Sequence, residues 1–286
     1  MGMKREKFIA LYTDFSDRVH SGRYESAGGV KMLPCGIRSW WLFFVSGLAR
    51  EIRLGLGAAH RDRFGYKEFS ATAYGMVRAA ESTGAKVTFE GFDTLKPLQG
   101  KPFVAVANHM SLVETMLLPA ALLTFNNLTL VAKTSLSKYP GFGKLLRAIH
   151  PILLDRVNPR EDLVAVLQQG TKLLKNGTSI LLFPQGKRAE VFDPRKFNSL
   201  GAKLAKRAGV PLVPFACKTD FARLGRIKAL KDLGPIDPSR PIKFSAGPIL
   251  DPTTASQADI QAACLEHIVG ALQEWGMETK ALPEKA

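Results

Sequence analysis

Beyond residue 86 the chain alternates two kinds of hydrophobic pattern. Short, mostly apolar stretches at 87–89, 103–107, 128–132, 152–154, 178–183, 210–216 and 242–246 predict strands. Between them, apolar residues recur three and four positions apart. That spacing predicts helices over 111–125, 141–149, 199–208 and 258–275. Another helix opens at Asn158-Pro159-Arg160-Glu161, where Asn158 can cap, Pro159 suits the first helical position and Glu161 completes a capping box. Its apolar face is Leu163, Val166, Leu167, Leu173 and Leu174, and Asn176-Gly177 stops it. Strands alternating with helices predict an α/β fold with a mixed, largely parallel central sheet covered by helices. Pro211 and Pro214 break one strand's hydrogen-bonding capacity, which predicts an edge or bulged position for it.

The first part of the chain reads differently. Residues 1–35 are polar and without periodicity, which predicts a loosely packed tail. Residues 36–84 carry helical patterns. Ile37, Trp41, Phe44, Val45, Leu48 and Ile52 form one stripe, flanked by Arg38, Arg50 and Arg53, and a second helix spans 67–82. Such amphipathic helices suit either a membrane interface or the core of the domain. The domain proper is then expected over 85–286. No run of about 18 apolar residues is present, and no secretory signal is visible.

Composition adds two constraints. Forty Lys and Arg against 25 Asp and Glu give a net charge of +15, which favours polyanionic partners: anionic lipid, phosphorylated substrates or nucleic acid. No aromatic-basic RNA motif or recognition-helix pattern appears, so no specific nucleic acid is expected. Cys35, Cys217 and Cys264 are too far apart for a disulfide framework or a metal-ligand spacing.

Several catalytic devices are missing. There is no G-x-S-x-G, no G-x-x-x-x-G-K-[ST], and no G-x-G-x-x-G after a strand. His20, His60, His150 and His267 belong to no recognisable constellation. His109 stands where a buried strand gives way to a helix, a place where α/β proteins gather their sites. Glu114 follows five residues later, within reach as an orienting carboxylate. Ser111 and Glu114 also spell a capping box, so both a catalytic and a capping reading are open. A second segment, Phe183, Pro184, Gln185, Gly186, Lys187 and Arg188, places a turn and two cations after another apolar strand. Close backbone and fixed positive charge suit a phosphate, although a solvated basic turn has the same composition.

Together these segments resemble the lysophospholipid acyltransferase family, which includes the 1-acylglycerol-3-phosphate acyltransferases. That family's N-H-x-S-x-x-D motif is similar to N-H-M-S-L-V-E at residues 108–114, and its F-P-E-G-T-R to F-P-Q-G-K-R at 183–188. Lys196-Phe197, Gly201-Ala202 and G-V-P-L-V-P at 209–214 continue the match in order and spacing, as do Lys133, P-G-F-G at 140–143 and Asp155-Arg156. The resemblance covers 87–249. It implies a glycerolipid acyltransferase fold and an acyl transfer from acyl-CoA or acyl carrier protein to a lysophospholipid hydroxyl. The expected acceptor is 1-acyl-sn-glycerol-3-phosphate, giving phosphatidic acid. It implies His109 as general base, Glu114 as its partner, and Arg188 with Lys187 on the acceptor phosphate, supported by Lys133 and Arg156. Backbone N–H groups near the 184–186 turn or the helix start are the expected oxyanion donors. No cofactor and no metal are implied, and the place of action is the cytoplasmic face of an anionic membrane, as a peripheral or monotopic protein.

Three positions depart from the pattern: Glu114, Gln185 and Lys187. Glutamate at the first also occurs in the related acyltransferases of lipid A assembly. Another acceptor, lipid A-like or an amino-acid lysolipid, therefore stays open. So does a non-catalytic basic lipid- or nucleic-acid-binding protein on the same scaffold.

Overall fold

A computed structural model describes residues 2–26, 36–61, 63–225 and 233–282. Eight strands form one sheet in the order β1 (Arg23–Glu25), β2 (Val87–Glu90), β8 (Ile242–Ala246), β7 (Leu212–Lys218), β3 (Val104–Ala107), β6 (Ser179–Leu182), β4 (Leu128–Lys133), β5 (Ile152–Leu154). The run from β7 to β5 is parallel throughout. β2 also runs parallel to β8, and the β1–β2 and β7–β8 pairs are antiparallel. This is the mixed, largely parallel sheet that the alternating pattern predicts.

Period two divides the sheet's side chains between two cores. Ala105, Leu181, Val213 and Phe215 face one side, with α4 (Tyr66–Ser82) and α5 (Val113–Leu122) over them. Val104, Val106, Ile180 and Leu182 face the other. There α7 (Pro159–Lys175), α8 (Leu200–Ala208) and α9 (Gln257–Glu274) supply Val166, Leu204 and Ile268. Gly201 lets α8 lie on β3: a Cβ there would stand 2.3 Å from a Val106 methyl. The Asn158 side chain accepts from Arg160 N–H at 3.0 Å and Pro159 opens α7.

The N-terminal expectation is corrected. Residues 2–20 form a helix, α1 (Gly2–His20), rather than a loose tail, and β1 extends the sheet's edge. Phe8, Leu11, Tyr12, Phe15 and Val19 recur at helical spacing among charged residues. Phe15 and Val19 are fully buried, and the Phe15 ring lies 4.8 Å from Tyr24 and 4.9 Å from Tyr74. A narrow stripe of this kind escapes a reading that weighs overall polarity. Cys35 and the rest of 27–35 lie outside the described residues.

The next segment is helical, in three pieces: α2 (Gly36–Trp40), a wide π-helical stretch Trp41–Leu48, and α3 (Ala49–Ala59). The wider turns shift the buried face away from the stripe that ordinary helical spacing selects. Phe43 and Phe44 point into the core, while Trp41 is 57% exposed and Leu54 on α3 is 55% exposed. Among the described residues no helix is long and apolar enough to cross a membrane.

Of the two positions expected for the strand carrying Pro214, the edge is corrected and the bulged one is found. β7 lies inside the sheet, between β8 and β3. The carbonyl of Pro214 accepts from Gly247 N–H at 2.8 Å, and the β8 ladder ends beside it at Phe215–Ala246. Antiparallel pairing resumes at Leu212–Leu250, with one extra residue on the Gly247 side, so the missing N–H falls at this bulge and the interior proline leaves no broken rung.

Candidate active site

The carboxyl ends of five parallel strands converge on one region. β3 delivers Asn108 and His109, β6 delivers 183–188, β7 delivers Thr219, and Lys133 ends β4. Arg156 follows β5 in a left-handed conformation, at φ 58°. Asn108 is buried and stitches β3 to β7. Its side-chain amide donates to Cys217 O at 2.8 Å, and its oxygen accepts from Cys217 N–H at 2.7 Å. The side chain takes over one rung of the ladder while the main chain turns away toward His109.

His109 Nδ1 lies 2.6 Å from Glu114 Oε1. Glu114 is fully buried, and the imidazole keeps 14% of its surface. The same carboxylate oxygen accepts from Met110 N–H at 2.8 Å and Ser111 N–H at 2.9 Å. Oε2 accepts from Ser111 Oγ at 3.0 Å and Thr219 Oγ1 at 2.5 Å. Burial opposes ionisation of Glu114, but His109, Thr219 and the backbone donors outweigh it and hold its pKa below the ordinary value. An ionised Glu114 requires the Nδ1 proton on His109, which leaves Nε2 as the basic nitrogen. The His109 ring stacks on Phe183, 4.4 Å between centroids.

The capping reading of the first motif holds in part. Ser111 Oγ caps, accepting from Val113 N–H at 3.0 Å, and Glu114 accepts from Ser111 N–H, half of a capping box. α5 therefore starts at Val113, and the glutamate folds back over the turn. The longer side chain spans from His109 on one side to Thr219 on the other.

The loop after β6 is tied to the same turn. Gln185 Oε1 accepts from His109 N–H at 2.6 Å, and Ala189 N–H donates to His109 O at 2.9 Å. Asn198 donates to Pro184 O at 2.5 Å, and Arg156 donates to Gly186 O. Gln185 thus supplies an acceptor where the resemblance expects a carboxylate, without the charge. Three backbone N–H groups in these two stretches are already engaged: Gly186 N–H bonds Phe183 O, and the N–H groups of Met110 and Ser111 bond Glu114.

His109, Phe183, Pro184, Gly186, Arg188, Lys133 and Arg156 all line one cavity of about 740 Å³. Lys203 of α8 joins them, and Glu51 of α3 lines it as well. Desolvation lowers the Arg156 pKa first; the nearby Arg188 charge lowers it further, and Asp162 opposes both. The cavity then continues between α3, α4, α5 and α6 (Phe142–Ala148), walled by Ile52, Phe69, Met76, Met116 and Leu145 among others. Lys187 is not brought in: its side chain is exposed and outside the lining. Three contributors escape the sequence reading: Thr219, Lys203 and the α3–α4 wall. Thr219 carries a weak signal, as a polar residue directly after a buried strand.

A sequence model described as Acyltransferase matches residues 86–218. The 1-acyl-sn-glycerol-3-phosphate acyltransferase of Pseudomonas aeruginosa is 37% identical over 122 residues, which are 43% of this chain and 46% of that protein. A probable 1-acyl-sn-glycerol-3-phosphate acyltransferase of Mycoplasma genitalium is 30% identical over 168 residues, 57% of this chain and 62% of that one. The chain thus spans less than two thirds of either relative's length. The crystal structure of the 1-acyl-sn-glycerophosphate acyltransferase from Thermotoga maritima superposes with a TM-score of 0.66 at 19% identity, covering 87% of this chain and 98% of that one. The fold is the same mixed α/β architecture. Residues 86–218 are thus similar to the acyltransferase family.

Proposed function

We propose that the protein moves a fatty acyl group from an acyl thioester, of coenzyme A or acyl carrier protein, to the hydroxyl of a lysophospholipid, with 1-acyl-sn-glycerol-3-phosphate as the acceptor. One observation carries this reading: His109, oriented by buried Glu114, opens into a cavity that joins cations to a long apolar compartment. In this reading Nε2 takes the acceptor's hydroxyl proton as its oxygen attacks the thioester carbonyl. The C–O bond forms, the C–S bond breaks, and the imidazolium returns the proton to the departing thiolate. Glu114 stabilises the transient imidazolium. Arg188 and Arg156 hold the acceptor phosphate, with Lys133 and Lys203 at longer reach. The thioester is already activated, so the chemistry requires neither metal nor cofactor.

Purified protein is expected to release free thiol from a long-chain acyl-CoA only when the lysolipid is added. No release with either donor type across an acceptor panel would leave a binding module instead. In the same assay Arg188→Ala is expected to raise the acceptor KM about 10- to 100-fold, the worth of a charged hydrogen bond. An unchanged KM would remove Arg188 from the phosphate.

The basic surface and the outward Trp41 and Leu54 support work at the cytoplasmic face of an anionic membrane. Truncating the N-terminal segment is a poor test, because Phe15, Phe43 and Phe44 belong to the core. Trp41→Ser with Leu54→Ser is expected to weaken sedimentation with phosphatidylglycerol vesicles several-fold while the melting temperature holds. Full binding by the double variant would place the docking surface elsewhere.

A further inference from the structure

Glu51 presents a carboxylate to the cavity, on a wall the reaction does not use. It is 6% exposed and sits on α3 among Leu48, Ile52 and Met76, which line the same compartment. Gly75 of α4 makes its place: a Cβ there would stand 2.3 Å from the Glu51 carboxyl carbon. Arg50 reaches it through Nε at 2.9 Å and Nη2 at 2.6 Å, and both bonds end on Oε1. Among the described residues Oε2 accepts no hydrogen bond. The neighbouring hydroxyls do not turn to it, since Thr72 donates to Phe69 O and Thr115 to Leu112 O. Oε2 is not sealed from water on the cavity wall, and a plain hydrocarbon chain lying against it would displace that water and leave a carboxylate oxygen without a donor, which costs free energy.

We propose that Glu51 Oε2 is a specificity site for a hydroxyl group carried on the fatty acyl chain that occupies this compartment. A neutral donor fits better than an ammonium. Arg50 already balances the carboxylate charge, and Lys133, Arg156, Arg188 and Lys203 ring the polar part of the cavity. The proposal rests on the acyltransferase reading for its biological setting, but binding alone tests it.

Free fatty acids are the probes: a saturated straight-chain acid, a set of its hydroxy derivatives differing in hydroxyl position, and the matching alkylamine. Wild-type protein is expected to bind one hydroxy acid about tenfold more tightly than the unsubstituted acid, by calorimetry or displacement of a fluorescent fatty acid. Glu51→Leu is expected to invert that order, and Glu51→Gln, whose amide still hydrogen-bonds, to keep it. Equal affinity for the plain acid and every hydroxy acid in the wild type overturns the proposal, whatever the variants do. Preference for the alkylamine overturns it too. Two transfer assays then assign the source of the hydroxyl. One pairs a hydroxylated thioester with a plain lysolipid, and the other pairs a plain thioester with a lysolipid whose chain is hydroxylated. Absence of turnover with any pair would defeat the acyltransferase reading and leave the binding result standing.

Discussion

Replacing His109 with alanine is expected to cut acyl transfer about 10³- to 10⁴-fold, the upper range for loss of a positioned general base. The loss should fall on kcat, because the phosphate and acyl contacts lie on other residues. The fold is expected to persist. Glu114 keeps its bonds to Met110, Ser111 and Thr219, and the ring stacks on Phe183 at the cavity wall. A melting temperature within a few degrees of wild type, with thiol release near background, is the predicted pair of measurements. Activity above about a tenth of wild type would assign the base elsewhere.

Glu114→Gln is the second large effect, because one side chain serves both the base and the fold. Among the described residues every partner of the carboxylate donates to it. An amide oxygen can keep His109 Nδ1, Met110 and Ser111, and its NH₂ can turn to the hydroxyls of Ser111 and Thr219, which can accept. Geometry is therefore largely kept, and the negative charge is lost. Turnover is expected to fall at least about 100-fold, since the imidazolium loses its counter-charge. The folded state holds the wild-type carboxyl below its ordinary pKa. Its contribution to stability is thus complete above the unfolded carboxyl's value, about 4.3, and is lost as pH falls below that. Melting curves at descending pH should show a shallower acid decline in the variant than in the wild type. An unchanged turnover with the same acid decline would reduce Glu114 to a cap.

Much of this molecule can be read from its sequence where local pattern and tertiary role agree. The strand at Ile152–Leu154 and the one at Ile242–Ala246 appear as the mostly apolar stretches predict, and α7 begins where Asn158 and Pro159 place it. The two segments around His109 and Gln185 announce themselves because each follows a buried strand in a parallel sheet. What stays hidden has long-range causes. Pro214 reads equally as an edge or a bulged residue until the pairing beyond Gly247 is known. The buried face of the π-helical stretch Trp41–Leu48 cannot be assigned while its turns are taken as ordinary ones. Thr219 lies 105 residues from Glu114 and joins it only because β7 and β3 are neighbours. Lys187 misled in the other direction: charge beside a glycine reads as a ligand, but the turn at Gly186 sends that side chain outward.

Asn108 has a consequence for how variants of this domain are interpreted. Its amide acts as a hinge pin, giving and taking one bond with Cys217 while the chain swings out of the sheet. Aspartate offers no donor for the carbonyl, and glutamine is one methylene too long for the span. An activity screen would therefore score position 108 beside position 109 as equally intolerant. Only one of the two losses would be chemical. The other would be mechanical, a slackened joint that lets the base drift, and the two separate only when folding and turnover are measured on the same protein.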